Sequence, residues 1–210
     1  MATIVKKEHR CPECNKIFQV SMHATILPGE HPELKKSILS ETLFSFTCPH
    51  CGYEADMVYP VLYHDREAEY MIYLSAQPES ALSQKVPQEL SEVRKRVVHN
   101  QKELKEKILV FDAGLDDAAV EIVKLAVLDI VAKKYGDDSA RAFFLDAEED
   151  TIRFAVYFTG YTDPVPQTAG IALYRQAQEL LDRARWHEKN RFLKVDRTLA
   201  QSLIAQAKEA

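Results

Sequence analysis

Glycine is scarce in this chain, with six among 210 residues. No G-x-x-x-x-G-K occurs, so a phosphate cradle of backbone N–H groups is not expected. G-x-S-x-G and H-E-x-x-H are missing too, and nothing points to serine–histidine catalysis. There is no run of about 18 apolar residues, so no transmembrane helix is expected. The opening stretch MATIVKKEHRC lacks the apolar core of a secretory signal, and the expected location is the cytoplasm. An excess of positive charge is absent as well. A net charge of -5 argues against a protein whose whole surface grips phosphates. What remains is a hydrophobic fraction of 46% and a charged fraction of 28%, the balance of a soluble globular protein.

Cysteine is sparse but arranged. The four thiols fall in two matched pairs, CPEC at Cys11 and Cys14 and CPHC at Cys48 and Cys51. In a reducing compartment such pairs read as a metal site rather than as disulfides. Two intervening residues let one tight turn aim both sulfurs at one ion. Pro12 and Pro49 stiffen those turns, and Gly52 lets the chain reverse closely around the metal. Four thiolates complete a tetrahedron and leave no open position, which points to a structural Zn2+ rather than a catalytic one. Disulfides and free thiols are the alternatives, and rubredoxin-type iron is chemically compatible with the same donors. A redox C-x-x-C would need a thioredoxin-like strand–helix setting, which is missing. His9, His50 and His64 are read as solvent-facing or capped residues, because four sulfurs already saturate the ion.

The 33 residues from Asn15 to Thr47 exceed the common spacing of about 15–20 between such pairs. Their pattern predicts folded structure. Phe18, Val20, Met22, Ala24 and Ile26 alternate with polar residues, a half-buried strand. Pro32 suits the first turn of a short helix carrying Leu34, Ile38 and Leu39, and LFSFT leads as a strand into CPHC. Apolar runs around YEADMVYPVLY and EYMIYL flank a hairpin turn at HDREA. Residues 77–93, rich in proline and serine, are read as a linker between a β-rich region 1–76 and a helix-rich region 94–210. Asn100 and Glu103 open a helix that Gly114 ends; Asp116 and Asp117 open the next, which is apolar around most of its circumference. RAFFL and TIRFAVYFT form a hairpin, YTDPVPQTAG a loop, Ile171 to Trp186 a helix, and a last amphipathic helix follows Asp196. The fold class is α+β: a zinc-ribbon-like N-terminal sheet followed by a helix-rich α+β region.

CPEC, the alternating strand, HPELKKSILSETLFSFTCPHCG, YPVLYHD and MIYL, in that order, resemble the CpXC domain over about residues 8–130. The resemblance implies a zinc-ribbon-like site at Cys11, Cys14, Cys48 and Cys51, and it implies no reaction.

Three other constellations are candidates. His64, Asp65 and Arg66 sit at the predicted turn, either as an acid–base pair or clamp, or as a turn nucleated by Asp65 with His64 packed beside it. Asp112, Asp116, Asp117 and Glu121 cluster around Gly114, either around a divalent cation or as helix-capping acids. The basic stretch Arg183, Arg185, Trp186, Lys189, Arg191 and Lys194 offers cations interleaved with aromatics, suited to single-stranded nucleic acid or an acidic partner. The reading favoured by the sequence is a zinc-stabilised, non-enzymatic interaction or regulatory module with a protein partner. A nucleic-acid-binding zinc-ribbon protein and an enzyme with a site near His64 are the rivals.

Overall fold

The computed structural model describes residues 4–75, 90–188 and 190–209. Most of the linker read at 77–93 lies outside them. Five helices and eleven strands among the described residues make an α+β protein, as the pattern predicted. Contacts divide the chain into two compact units, Met1–Lys105 with Asn190–Leu193, and Glu106–Lys189 with Lys194–Ala210.

The first unit begins with an antiparallel hairpin of β1 (Ile4–Arg10) and β2 (Ile17–His23). In β2 the alternation holds: Phe18, Val20 and Met22 are half-buried, while Gln19 and Ser21 are exposed. The strand expected to run on to Ile26 is interrupted at Ala24. Its continuation, β3 (Thr25–Ile26), joins a different sheet, parallel to β6 (Val61–Asp65). β6 pairs antiparallel with β7 (Tyr70–Leu74), and β7 pairs parallel with β8 (Arg94–Val98). The short helix α1 (Pro32–Leu39) starts at its proline and buries Ile38. A second hairpin, β4 (Ser45–Thr47) with β5 (Glu54–Asp56), follows.

β8 was not foreseen, because RKRVV reads as a surface stretch. Lys95 and Arg96 are nevertheless fully buried. The Lys95 ammonium donates to the carbonyls of Leu90 and Val93, and Arg96 Nη1 donates to the Lys95 carbonyl at 2.9 Å. Backbone acceptors thus satisfy cations that side-chain patterning assigns to water.

Helix α2 (Gln101–Asp112) opens as expected, with Asn100 Oδ1 accepting the Glu103 N–H at 2.9 Å. Glu103 in turn accepts the His99 N–H, one residue earlier than a standard capping box. The helix stops in a Schellman turn: the N–H groups of Gly114 and Leu115 donate to the carbonyls of Phe111 and Val110, with Gly114 at φ 68°. Asp116 then caps α3 (Asp117–Tyr135), accepting from the N–H groups of Ala118 and Ala119. Residues 117–124 of α3 are all buried, which explains why its apolar residues surround the axis.

In the second unit, β9 (Arg141–Ala147), β10 (Thr151–Tyr157) and β11 (Val165–Gly170) form an antiparallel sheet in the order β11-β10-β9. Ile152, Phe154 and Val156 make its buried face. YTDPVPQTAG, read as a loop, in fact contains β11. As an edge strand, β11 tolerates Pro166, whose missing N–H is not needed on the open side. α4 (Ile171–Arg183) stops three residues before Trp186, and α5 (Arg197–Glu209) completes the chain, capped by Asp196. The end of α4 is a second Schellman turn. The N–H groups of Arg185 and Trp186 donate to the carbonyls of Asp182 and Leu181, and Arg185 stands at φ 51° where Gly114 stood in the first.

Five ionisable groups are buried together in this unit. Lys124 donates to both Glu106 oxygens at 2.9 and 3.0 Å and to Glu121 at 3.0 Å; Lys107 reaches Asp117 at 2.9 Å. Glu106 also accepts the Phe144 N–H of β9 at 2.6 Å. Burial pushes the Glu106 carboxyl up, against the pull of Lys124. Burial opposes the Lys124 ammonium too, but Glu106 and Glu121 hold it above its ordinary range.

Two outcomes follow for urea unfolding of the full chain. Lys124→Ala leaves the buried Glu106 carboxylate without its cation, while Lys107 still reaches Glu121 at 3.4 Å, and is expected to cost about 3–5 kcal/mol. Arg185→Gly relieves the left-handed backbone without disturbing the turn and is expected to stabilise by about 0.5–1 kcal/mol.

Candidate metal centre

The cysteine pairs lie in the turns of the β1–β2 and β4–β5 hairpins of the first unit, and the two turns are built alike. In β1–β2 the Cys11 N–H donates to the Lys16 carbonyl at 3.0 Å, and the Asn15 N–H returns to the Cys11 carbonyl at 2.9 Å. In β4–β5 the Cys48 N–H donates to Tyr53 at 2.8 Å, and the Gly52 N–H returns to Cys48 at 2.9 Å. The residue after each second cysteine is left-handed, Asn15 at φ 60° and Gly52 at φ 74°. Asparagine and glycine are the residues that enter this region most readily. The sequence pointed to Gly52; the equivalence of Asn15 was missed, although the Asn/Gly pair at matched positions carried it.

The two turns face each other. Cys11 Sγ lies 3.7 Å from Cys51 Sγ, and Cys14 Sγ lies 3.7 Å from Cys48 Sγ. All four sulfurs lie within 4.8 Å of one another. Four sulfurs held about 2.3 Å from a common zinc would be separated by about 3.8 Å. The donor set therefore fits one tetrahedral ion, and the close pairs run between the hairpins rather than within each C-x-x-C. Cys11 and Cys48 are buried, Cys14 is half-buried and Cys51 is exposed. Backbone N–H groups, aided by neighbouring sulfurs, already favour proton loss at one thiol. Burial pushes the Cys48 thiol up, but N–H groups of His50 and Cys51 and the sulfurs of Cys11 and Cys51 outweigh it and bring it to about 7. At Cys51 the Tyr53 N–H favours the thiolate, but desolvation and the other three sulfurs push it up to about 12.

An aromatic trio sits between the hairpins. His9 packs edge-on against Phe18 and Phe46 at centroid distances of 5.6 and 5.1 Å, and Phe18 and Phe46 are 5.9 Å apart. His9 is thereby a packing residue. Among the described residues the clustered donors are the four cysteines alone.

Several of the remaining candidates are engaged in local structure. Asp65 Oδ1 accepts the N–H groups of Glu67 and Ala68 at 3.2 and 3.1 Å and so closes the β6–β7 turn. His64 lies on β6 opposite Met71, and Arg66 forms an exposed ion pair with Glu30 at 3.6 Å. Asp116 is a helix cap, while Asp117 and Glu121 are held by buried lysines, so the acids around Gly114 are not gathered around a cation. In the basic stretch, Arg183 and Arg185 are exposed, and Trp186 is half-buried and supplies an N–H to the Schellman turn. These three and Lys194 belong to the second unit, Arg191 to the first, and Lys189 lies outside the described residues.

The family model described as CpXC protein matches residues 10–124, more than half of the sequence. The chain belongs to the CpXC family. No curated protein and no solved structure matches it. The match spans both cysteine pairs of this CpXC protein and runs into α3. No helix among the described residues is long and apolar enough to cross a membrane.

His64 carries a pH signature. Burial, then Arg66, lower its pKa from 6.5 against the opposing pull of Asp65; His23 is lowered the same way, chiefly by burial. The unfolded chain therefore binds protons that the folded chain resists. Stability is expected to be independent of these groups above pH ~7 and to fall as pH drops through the ordinary histidine range toward about 5. Combined His64→Gln and His23→Gln substitution is expected to flatten that slope in denaturant titrations across the same range.

Proposed function

We propose that the four cysteines bind one structural zinc ion and that this CpXC protein is a non-enzymatic, zinc-ribbon-like interaction module. The observation that carries the reading is the closure of the donor set: four sulfurs at tetrahedral spacing, contributed equally by two hairpins. With every position taken by thiolate, the ion has no place for substrate or water and acts by holding the fold. The two hairpins offer little else to fix them. β4 and β5 have three residues each, and six of the seven residues of β1 are exposed. Binding free energy at the sulfurs thus becomes folding free energy of this region.

An interaction role fits a closed site, because such an ion works only through the surface it organises. The commitment of Asp65 to its turn, of Asp116 to a cap and of Asp117 and Glu121 to ion pairs favours this reading over an enzyme at His64. The partner proposed is a protein, and the thiolates suit the reducing cytoplasm.

Elemental analysis and native mass spectrometry of the purified chain are expected to show one zinc per chain, and cobalt substitution to give the charge-transfer bands of thiolate ligation. Cys14→Ser, or a strong chelator, is expected to strip amide-exchange protection from residues 4–26 and 44–56 while the β9–β10–β11 sheet keeps its own. A metal-free chain with unchanged protection throughout would overturn the assignment.

A further inference from the structure

We infer that the outer edge of β1 is a self-pairing surface, and that two copies of this chain join antiparallel along it into a four-stranded sheet with Lys6 of each copy opposite Glu8 of the other. Among the described residues β1 pairs with β2 alone, so its other edge is open. The strand is seven residues long and exposed throughout except at His9. Neither Lys6 nor Glu8 has a side-chain partner within the described residues.

The register of β1 on β2 fixes which peptide groups face outward. The Cys11 N–H points to β2, where it meets the Lys16 carbonyl. The pairing continues without a shift from Arg10↔Ile17 to Ile4↔His23. Peptide groups alternate sides along a strand. Residues 5, 7 and 9 therefore bond inward, and Ile4, Lys6, Glu8 and Arg10 present their N–H and C=O groups to the open edge. Antiparallel pairing of two such edges about a two-fold axis must match these outward residues with one another, which leaves three central registers. Centring on Lys6 sets Lys6 against its own copy. Centring on Glu8 sets Glu8 against its own copy and Lys6 against Arg10. Centring on Lys7 alone sets Lys6 opposite Glu8 twice, and Ile4 opposite Arg10 twice.

That third register also gathers exposed apolar surface. Ile4 and Ile17 are 56% and 50% exposed. On one face the row across the strands reads Ile17, Arg10, then Ile4 and His23 of the second copy, so the Arg10 stem lies between two isoleucines. On the other face the row reads Met22, Val5, then His9 and Phe18 of the second copy. The unfavourable element is Lys7 against Lys7 at the axis. Lysines on an edge ordinarily guard against pairing; here Lys6 finds an opposite charge and Lys7 keeps the guarding role. One strand pair buries less than a standard interface, so the dimer is a weak one, with a dissociation constant of about 10–100 µM.

Sedimentation of the full zinc-supplemented chain across that range tests the inference. Lys6→Glu and Glu8→Lys singly set like charges opposite each other twice per dimer and are each expected to weaken association by at least about tenfold. The double variant Lys6→Glu/Glu8→Lys restores both pairs and is expected to return to within about threefold of the unaltered chain. Lys7→Thr removes the central repulsion and is expected to tighten it. A general loss of β1 structure would not be repaired by the charge swap. A chain that stays monomeric at about 0.5 mM, or a dimer indifferent to these substitutions, would overturn the inference.

Discussion

The two ribbons β1–β2 and β4–β5 meet at the convergence of four sulfurs between their turns. Neither hairpin has an independent basis for stability. A two-stranded ribbon is marginal in water, and β4–β5 has only three pairs of residues. Between them the rings of His9, Phe18 and Phe46 meet at a partly open site. The close sulfur pairs cross from one hairpin to the other, Cys11 with Cys51 and Cys14 with Cys48. A shared ligand at that point constrains the relative placement of all four strands, which sulfurs paired within each C-x-x-C would not do.

The same backbone turn appears twice because the constraint on it is the same. Two thiols three residues apart can aim at one point only if the chain reverses tightly after the second, and the reversal puts the next residue in left-handed backbone. Glycine fills that position once and asparagine once. At the ends of α2 and α4 an identical requirement is met by Gly114 and by Arg185. Glycine scarcity in this chain is thus not an absence of left-handed positions. It reflects their partial occupation by residues that tolerate the conformation with some strain, among them Glu41 and Glu69.

How much of this was legible depends on whether the cause was local. The cysteine spacing, the alternation through Met22, the proline start of α1 and the caps at Asn100 and Asp116 are each decided within a few residues, and the pattern exposed them. β1, β8 and β11 are decided by what lies beside them. IVKKEHR has no alternating apolar face, because neither face of its ribbon is deeply buried. RKRVV buries two cations because backbone carbonyls are positioned to receive them. VPQTAG carries turn-like residues and becomes a strand because β10 offers it an edge. The buried network in the second unit was hidden for a related reason. Glu106, Lys107 and Lys124 have the spacing of solvated helix charges, and only the approach of Asp117, Glu121 and the Phe144 N–H turns them into an interior cluster.

This redistribution narrows where function can reside. Residues that look chemical in the sequence, Asp65, Asp116, Asp117 and Glu121, turn out to satisfy a turn, a helix end and buried cations. A polar side chain already holding two backbone N–H groups, as Asp65 does, is poorly free to bind a ligand without opening the turn it closes. The charges left uncommitted along β1 differ in kind. Lys6 and Glu8 stabilise nothing within the chain that the described residues show, yet they stand on a strand that leads directly into the sulfur cluster. A thiolate site closed around an ion, as proposed, would contribute to function through such a surface. Holding a ribbon exposed, with its edge open and its charges in fixed order, is the one task in this region for which a hydrophobic core would be a poor substitute, since a core must cover what it stabilises.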